Sequence, residues 1–228
     1  MRHFFLFFLS IILLAGCGSG SNRSDVIDSG HLIYHIEYSD TVTGAPVNTM
    51  MPGEWNLYFN QEKLKNEIRA GFNLFSISFI SNSPLDSCFV LFSFMEKDMY
   101  FPISSKDYLF IFDKNSKVTV TYDPSEKKEI AGFSCQAANV AFEGREPFKV
   151  YYTEEIKIIE PNRHTPLNMI PGVLMDFPYE YQGVRMRLTA KEYLNEKPPN
   201  RTFTISPKAK RTDKKEVVAM VNTLLSSF

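Results

Sequence analysis

Short runs of alternating apolar and polar residues, separated by turn residues, fill most of the chain from His31 onward. Side chains of a strand point alternately to the two faces of a sheet, so such runs predict strands with one buried face. The runs at 72–80 and 88–95 are apolar on both faces, which is typical of central strands covered on both sides. The predicted strands cover residues 31–38, 54–60, 72–80, 88–95, 107–112, 117–122, 148–153, 155–159, 173–181 and 184–194.

Two interpretations fit residues 61–71, "QEKLKNEIRAG". Leu64 and Ile68 are four apart, as on one face of an amphipathic helix. As a strand, the same segment places Leu64, Ile68 and Ala70 on one face and charged residues on the other. We favour the strand, because it forms a hairpin with the run at 54–60.

The C-terminal segment 213–227 predicts a helix, with Asp213 as N-cap and Glu216 three residues later. Its apolar stripe must be buried, because an isolated helix of about 15 residues is marginal in water. We therefore predict that Val217, Val221 and Leu224 pack on the concave face of the sheet. The predicted fold is all-β and mainly antiparallel, a single curved sheet or half-barrel over 31–228 with the C-terminal helix packed on it.

The N-terminus, "MRHFFLFFLSIILLAGC", has a basic Arg2, an apolar run and small residues before a cysteine. The run is shorter than the roughly 20 residues that cross a bilayer, but it suits a signal peptide. Residues 14–17, Leu-Ala-Gly-Cys, resemble the lipobox of bacterial lipoproteins. That resemblance implies cleavage before Cys17 and acylation of Cys17; the alternative is an ordinary signal peptide. We predict a signal peptide over 1–16, a flexible tether over 17–30, and an outer-membrane anchor facing the periplasm.

Composition adds little electrostatic specificity to this picture. The formal net charge is −1, so there is no electrostatic reason to expect a nucleic acid partner. No run after residue 16 approaches the length of a membrane-spanning helix. The predicted membrane contact is therefore the lipid on Cys17.

Two further cysteines, Cys88 and Cys135, form an even pair in a chain that is predicted to be exported. A disulfide between them would close a loop of about 47 residues and stabilise the fold by about 3–4 kcal/mol. The alternative is two buried thiols that act as small apolar side chains. We favour the disulfide, with the two cysteine-bearing strands adjacent.

The stretch "EIAGFSCQAANVAFEGREPFKVYYTEEI", 129–156, followed by "NMIPGVLMDF", resembles the envelope proteins that are named for a GLPGLI motif. Gly132 and Cys135 match the first part of the family pattern, and Pro171 and Gly172 match the motif itself. Met169 stands where the family has the first glycine. The resemblance implies the fold and the envelope compartment, and this family has no established activity. The pattern is also distantly similar to half-barrel lipoprotein carriers, whose concave face holds lipid under a helical lid.

We find none of the common catalytic motifs, whether of zinc proteases, serine hydrolases, P-loop proteins or dinucleotide-binding proteins. His31, His35 and Glu37 share one face of the first strand, but no fourth metal ligand is evident. We therefore predict no catalytic residues, no metal and no cofactor. Two functions remain open: an envelope lipoprotein that binds a lipid or acyl chain on an aromatic-lined sheet, or an accessory protein of an envelope complex that has a closed core.

Overall fold

The part of the chain that the structure describes forms twelve strands and one α-helix. The computed structural model describes residues 26–39, 51–70, 73–95, 97–104, 107–109, 117–181 and 183–226. The elements are β1 (Ser29–Tyr38), β2 (Glu54–Asn60), β3 (Lys63–Ala70), β4 (Phe75–Asn82), β5 (Ser87–Phe94), β6 (Lys97–Ile103), β7 (Val118–Ile130), β8 (Phe133–Phe142), β9 (Phe148–Thr153), β10 (Val173–Tyr181), β11 (Val184–Leu194), β12 (Lys210–Arg211) and α1 (Lys214–Ser226).

Two antiparallel meanders, β1–β6 and β7–β11, share one sheet. Their junction is the pairing of β1 with β11, and the full order is β12-β6-β5-β4-β3-β2-β1-β11-β10-β9-β8-β7. The short strand β12 pairs in parallel with β6. The prediction of a mainly antiparallel all-β fold with a C-terminal helix is confirmed. The strand interpretation of residues 61–71 is also confirmed, because β3 forms a hairpin with β2.

One face of this sheet carries rows of large apolar side chains. Tyr34, Trp55, Ile68, Ile77 and Phe92 occupy directly paired positions on the five strands from β1 to β5. Directly opposed residues on neighbouring strands point to the same side of a sheet. These rows supply much of the main core cluster, and we call this side of the sheet the concave face.

The sheet is strongly curved. Contacts between side chains of strands that are not neighbours in the sheet show this curvature. The Tyr34 hydroxyl of β1 donates to the carbonyl of Leu174 in β10 at 2.9 Å, past the intervening strand β11. The rings of Phe133 in β8 and Tyr193 in β11 lie 5.3 Å apart, although two strands separate them in the sheet. Such contacts require the second meander to wrap around toward the first.

A second, smaller core lies between the strands β8–β10 and the long connection 154–172, which joins β9 to β10. Alternation along β10 sends Val173 and Met175 into the main core and Leu174 into the second one. This strand is therefore covered on both faces. The buried members of the second core are Ala138, Val140, Val150, Tyr152, Leu167, Ile170 and Leu174.

Helix α1 begins as the sequence predicts. The Asp213 carboxylate accepts a hydrogen bond from the backbone N–H of Lys215 at 2.9 Å, whereas Glu216 accepts one from the Thr212 hydroxyl. Val217 and Val221 are buried in the main core, as expected for the apolar stripe. The side chain of Leu224, also predicted to pack there, lies outside the described residues.

The predicted tether over 17–30 extends too far. Ser29 and Gly30 belong to β1, and Ile27 forms a parallel bridge with Ile156. A Cβ atom at Gly30 would lie 2.3 Å from the Tyr193 ring, so this glycine permits close packing rather than flexibility. The ordered domain therefore begins before His31.

Two other predicted strands differ from the structure. Residues 155–159 form no strand apart from the bridge at Ile156, because this segment opens the long connection to β10. Residues 107–109 of the predicted strand 107–112 are irregular, and 110–112 lie outside the described residues. Conversely, β6 has no clear sequence pattern, because Lys97, Asp98 and Pro102 interrupt its apolar alternation.

The packing of α1 predicts the effect of a charge at Val221. We expect Val221→Asp to lower the free energy of unfolding by about 3 kcal/mol, because the carboxylate would be desolvated against apolar side chains without a partner. Urea denaturation monitored by circular dichroism measures this change. Ala219→Asp is the control, since Ala219 is exposed on the same helix. Equal effects of the two substitutions would contradict the burial of α1 on the sheet.

Candidate functional site

A cavity of about 1410 Å³ opens on the concave face. Sites for small ligands usually have roughly 300–1,000 Å³, so this volume is large for a small molecule. Aliphatic walls come from β2, β3, β10 and β11, and the loop 158–167 contributes to one side. Its aromatic lining residues on the strands β1, β2 and β10 are Tyr34, Tyr38, Trp55, Phe177, Tyr179 and Tyr181.

The polar groups of Tyr34, Tyr38, Trp55 and Tyr181 are already engaged by the protein. The Tyr38 hydroxyl donates to the carbonyl of Pro52 at 2.8 Å, and the indole N–H of Trp55 donates to Asn66 Oδ1 at 2.9 Å. The Tyr34 hydroxyl donates to Leu174, and burial raises the pKa values of Tyr34 and Tyr38. Because these donors are satisfied, the aromatic groups offer mainly apolar ring surface to a ligand.

Charged residues gather at one end of the cavity. The β8–β9 turn contributes Arg145 and Glu146, and the β10–β11 hairpin contributes Glu180 and Arg185, whose charged groups lie 3.3 Å apart. The pairing of β9 with β10 brings these two turns to the same end of the sheet. All four residues are exposed and form a charged rim, while apolar side chains together with Asn66, Asn162 and Thr165 line the interior.

A second cavity of about 110 Å³ lies beside the first, under α1. We call it the helix pocket; its apolar walls include Ile68, Ile77, Phe79, Val90 and, from α1, Val221. It shares seven lining residues with the large cavity, among them Trp55 and Tyr179. The two spaces are therefore adjacent along these shared side chains.

Cys88 and His164 form a buried hydrogen-bonded pair outside these cavities. His164 Nδ1 lies 2.9 Å from the carbonyl of Asp107, which only accepts, so Nδ1 carries the proton. Nε2 is therefore the acceptor, and the Cys88 thiol, 2.8 Å away, donates to it. Ser81 Oγ lies 3.5 Å from the same sulfur. This pair attaches the connection 154–172 to the β4–β5 hairpin.

Both members of the pair favour their neutral forms. Burial raises the pKa of the Cys88 thiol and lowers the pKa of the His164 imidazole. A reactive cysteine needs the thiolate, which an imidazolium neighbour normally stabilises. The arrangement at Cys88 therefore disfavours the thiolate form.

The predicted Cys88–Cys135 disulfide is wrong for this structure, because both cysteines are free thiols. Cys88 lies on β5 and Cys135 on β8, and seven strands separate them in the sheet order. Cys135 lies 3.4 Å from the carbonyl of Phe133, and burial raises its pKa to about 12. The sequence gives no signal that the partner of Cys88 is His164 rather than another cysteine.

The glycines of the predicted family motif have structural roles. Ala131 and Gly132 both have positive φ and form the two-residue turn between β7 and β8, a geometry that glycine adopts readily. A Cβ atom at Gly172 would lie 2.3 Å from the carbonyl oxygen of Thr153. The Asn162 amide holds this segment by donating to the carbonyls of Ile170 and Gly172. Pro171 is exposed.

Sequence reasoning missed a buried carboxylate at Asp176 on the outer side of the β10–β11 hairpin. Asp176 Oδ1 lies 2.7 Å from Arg187 Nε, and its Oδ2 lies 3.4 Å from Lys128 Nζ. The Thr189 hydroxyl also donates to Oδ1 at 3.2 Å. An acid inside the apolar run "VLMDF" is the signal for this group, and its ion pairs explain why the basic face of β11 is partly covered.

Of the three residues singled out on β1, Glu37 lines the large cavity, whereas His31 and His35 do not. His31 bonds Asn56 and stacks on Tyr58, on the side of β1 opposite to Tyr34. Among the described residues no three His, Cys, Asp or Glu side chains are grouped as metal ligands would be.

No helix in the described ranges has the length and apolarity to cross a membrane. Cys17, the predicted lipidation site, lies outside the described residues.

No family model matches the chain, and no curated protein matches it. Membership of the GLPGLI-motif family therefore stays a prediction.

The Cys88–His164 pair predicts a measurable coupling free energy. In a double-mutant cycle of Cys88→Ala and His164→Ala at neutral pH, we expect a coupling of about 1 kcal/mol, because one hydrogen bond joins the two side chains. Denaturant unfolding of the four proteins measures it. Cys135→Ala is the control thiol substitution, and it should be additive with His164→Ala within about 0.5 kcal/mol.

The same cycle has a defined pH dependence. Burial lowers the pKa of His164 in the folded protein. Neutral His164 therefore contributes its full share to the free energy of unfolding above the unfolded-state pKa of about 6.5. That contribution is lost as the pH falls through the lower, folded-state pKa. In the His164→Ala variant, the free energy of unfolding should therefore decrease less steeply as the pH is lowered. Additivity of Cys88→Ala and His164→Ala at neutral pH would show that the contact does not stabilise the fold.

Proposed function

We propose that this protein is a non-enzymatic cell-envelope lipoprotein that binds an apolar ligand, a lipid or acyl chain, on its concave face. The observation that carries the proposal is the large cavity, in which the lining residues Tyr34, Tyr38 and Trp55 have their polar groups bonded within the protein. A polar ligand would leave its own groups without partners against these rings, which costs free energy. An aliphatic chain avoids that cost.

The asymmetry of the cavity supports an amphipathic ligand. A chain in the interior would contact Leu57, Leu188 and Met186, and a polar head would reach water at the charged rim. Burial of apolar area contributes about 25 cal/mol per Å², so a long chain gains enough free energy without specific hydrogen bonds. Recognition of this kind is broad for the head group and depends mainly on the chain.

The proposed compartment depends on the N-terminal sequence. An anchor on Cys17 would keep the binding domain near a membrane that supplies acyl chains. Several acyl chains on one residue hold a protein firmly, whereas a single chain gives only marginal binding. We place the domain on the periplasmic side of the outer membrane, as the sequence predicts.

Trp55, the single tryptophan of the sequence, lines both cavities and reports directly on a bound chain. We expect a long-chain fatty acid brominated in mid-chain to quench Trp55 fluorescence saturably, because a heavy atom quenches an indole on contact. The unbrominated fatty acid should compete and restore the emission. Fluorescence titration of the purified protein measures both effects.

Met186→Glu should abolish this quenching, because it places a carboxylate among the lining residues of both cavities. Lys191→Glu is the matched control on the same strand, since Lys191 is exposed and lines neither cavity. Circular dichroism checks that both variants fold. Wild-type protein that folds but shows no saturable quenching would contradict ligand binding and favour the alternative, an accessory protein of an envelope complex.

The anchor has a separate test. We expect Cys17→Ala to abolish incorporation of labelled fatty acid in bacterial cells and to leave uncleaved precursor, because the acylated thiol is lost. Metabolic labelling followed by electrophoresis measures this. Cys88→Ala should retain the label, since Cys88 is buried in the folded domain. Label on the Cys17→Ala protein would overturn the lipoprotein proposal without affecting the ligand proposal.

A further inference from the structure

We propose that the helix pocket receives the distal end of the bound acyl chain, and that Val221 of α1 thereby helps to set the preferred chain length. This inference rests on the proposed function, because it assigns the end of the same ligand. It adds a subsite and a residue that determines specificity.

The position of the pocket supports this assignment. It lies beside the large cavity, and the lining residues common to both spaces include Trp55, Asn66 and Met186. The Trp55–Asn66 hydrogen bond holds the indole at this boundary. A chain that enters from the charged rim and passes the indole would reach the helix pocket.

The chemistry of the pocket fits a chain end rather than a head group. Its strand walls are mainly aliphatic and aromatic, and the Tyr38 hydroxyl that borders it donates to Pro52. Among the described residues, the buried side-chain polar atom without a hydrogen bond is Asn82 Oδ1, which lines neither cavity. An acyl chain carries no polar atom beyond its carbonyl group, so its distal end needs no hydrogen-bond partner in the pocket. An apolar pocket of this kind favours apolar occupants.

The volume of the helix pocket determines how many carbon atoms of the chain it can hold. At roughly 30 Å³ for a group the size of a water molecule, the pocket of about 110 Å³ holds about four methylene groups. Each methylene that becomes buried there should strengthen binding by about fourfold. Chains too short to pass Trp55 lose this gain, and chains longer than the pocket meet Val221 and the strand walls.

The test compares two substitutions on the same helix. Val221→Ala removes two methyl groups from the wall of the pocket, whereas Val217→Ala removes the same atoms from a buried residue that does not line it. Saturated fatty acids of increasing length are assayed by displacement of the brominated chain, with Trp55 fluorescence as the readout. Circular dichroism and urea denaturation establish that each variant is folded.

We expect Val221→Ala to move the tightest-binding length upward by about one or two carbons, while Val217→Ala keeps the wild-type length. Ile77→Phe, which fills the pocket from β4, should move it downward and tests the same subsite without altering α1. Identical length profiles for wild type, Val221→Ala and Ile77→Phe would overturn the subsite while leaving ligand binding intact. If no fatty acid binds to any of the proteins, the proposed function itself fails.

Discussion

The pairing of β1 with β11 is the constraint on which the rest of the structure depends. It joins the strand that opens the first meander to the strand that closes the second, so that two separate sheets become one. Both strands then present large apolar residues to the same side, for example Ile36 opposite Leu188. The Tyr34–Leu174 hydrogen bond continues this junction to β10. The large cavity is lined by residues of both meanders, so it depends on this pairing.

The connection 154–172 provides the second attachment between the two halves. It leaves β9 in the second meander, reaches the first meander through the Cys88–His164 pair, and returns to β10 along the close contact at Gly172. An ion pair between Arg163 and Asp86 at 2.8 Å reinforces this contact at the surface. The predicted disulfide would have linked the halves covalently; the hydrogen-bonded pair links them through packing and one buried contact.

The cavities have an energetic consequence that suits a binding protein. An apolar ligand that fills the pocket of about 110 Å³ under α1 would remove apolar side-chain area from water, which stabilises the bound protein by about 25 cal/mol per Å². Domains are stable by only about 5–15 kcal/mol, so even a small pocket matters to the stability of the bound protein. The satisfied hydrogen bonds of Trp55 and Tyr38 keep the walls in place whether or not a ligand is bound.

The sequence by itself determined most of the strands and the C-terminal helix, because alternation and helical periodicity are local properties. Trp55, Met186 and Val221 could be assigned to a buried face for the same reason. The sequence did not predict β6 or the second half of β7. Local pattern has no information on which distant strands pair or how far a sheet curves. A tightly packed core and an open cavity also require the same apolar residues, so the cavity could not be predicted. Tertiary structure alone decided the partner of Cys88 and the burial of Asp176. Each depends on groups that lie more than ten residues away in the chain. Only the curvature of the sheet and the long connection bring these groups together.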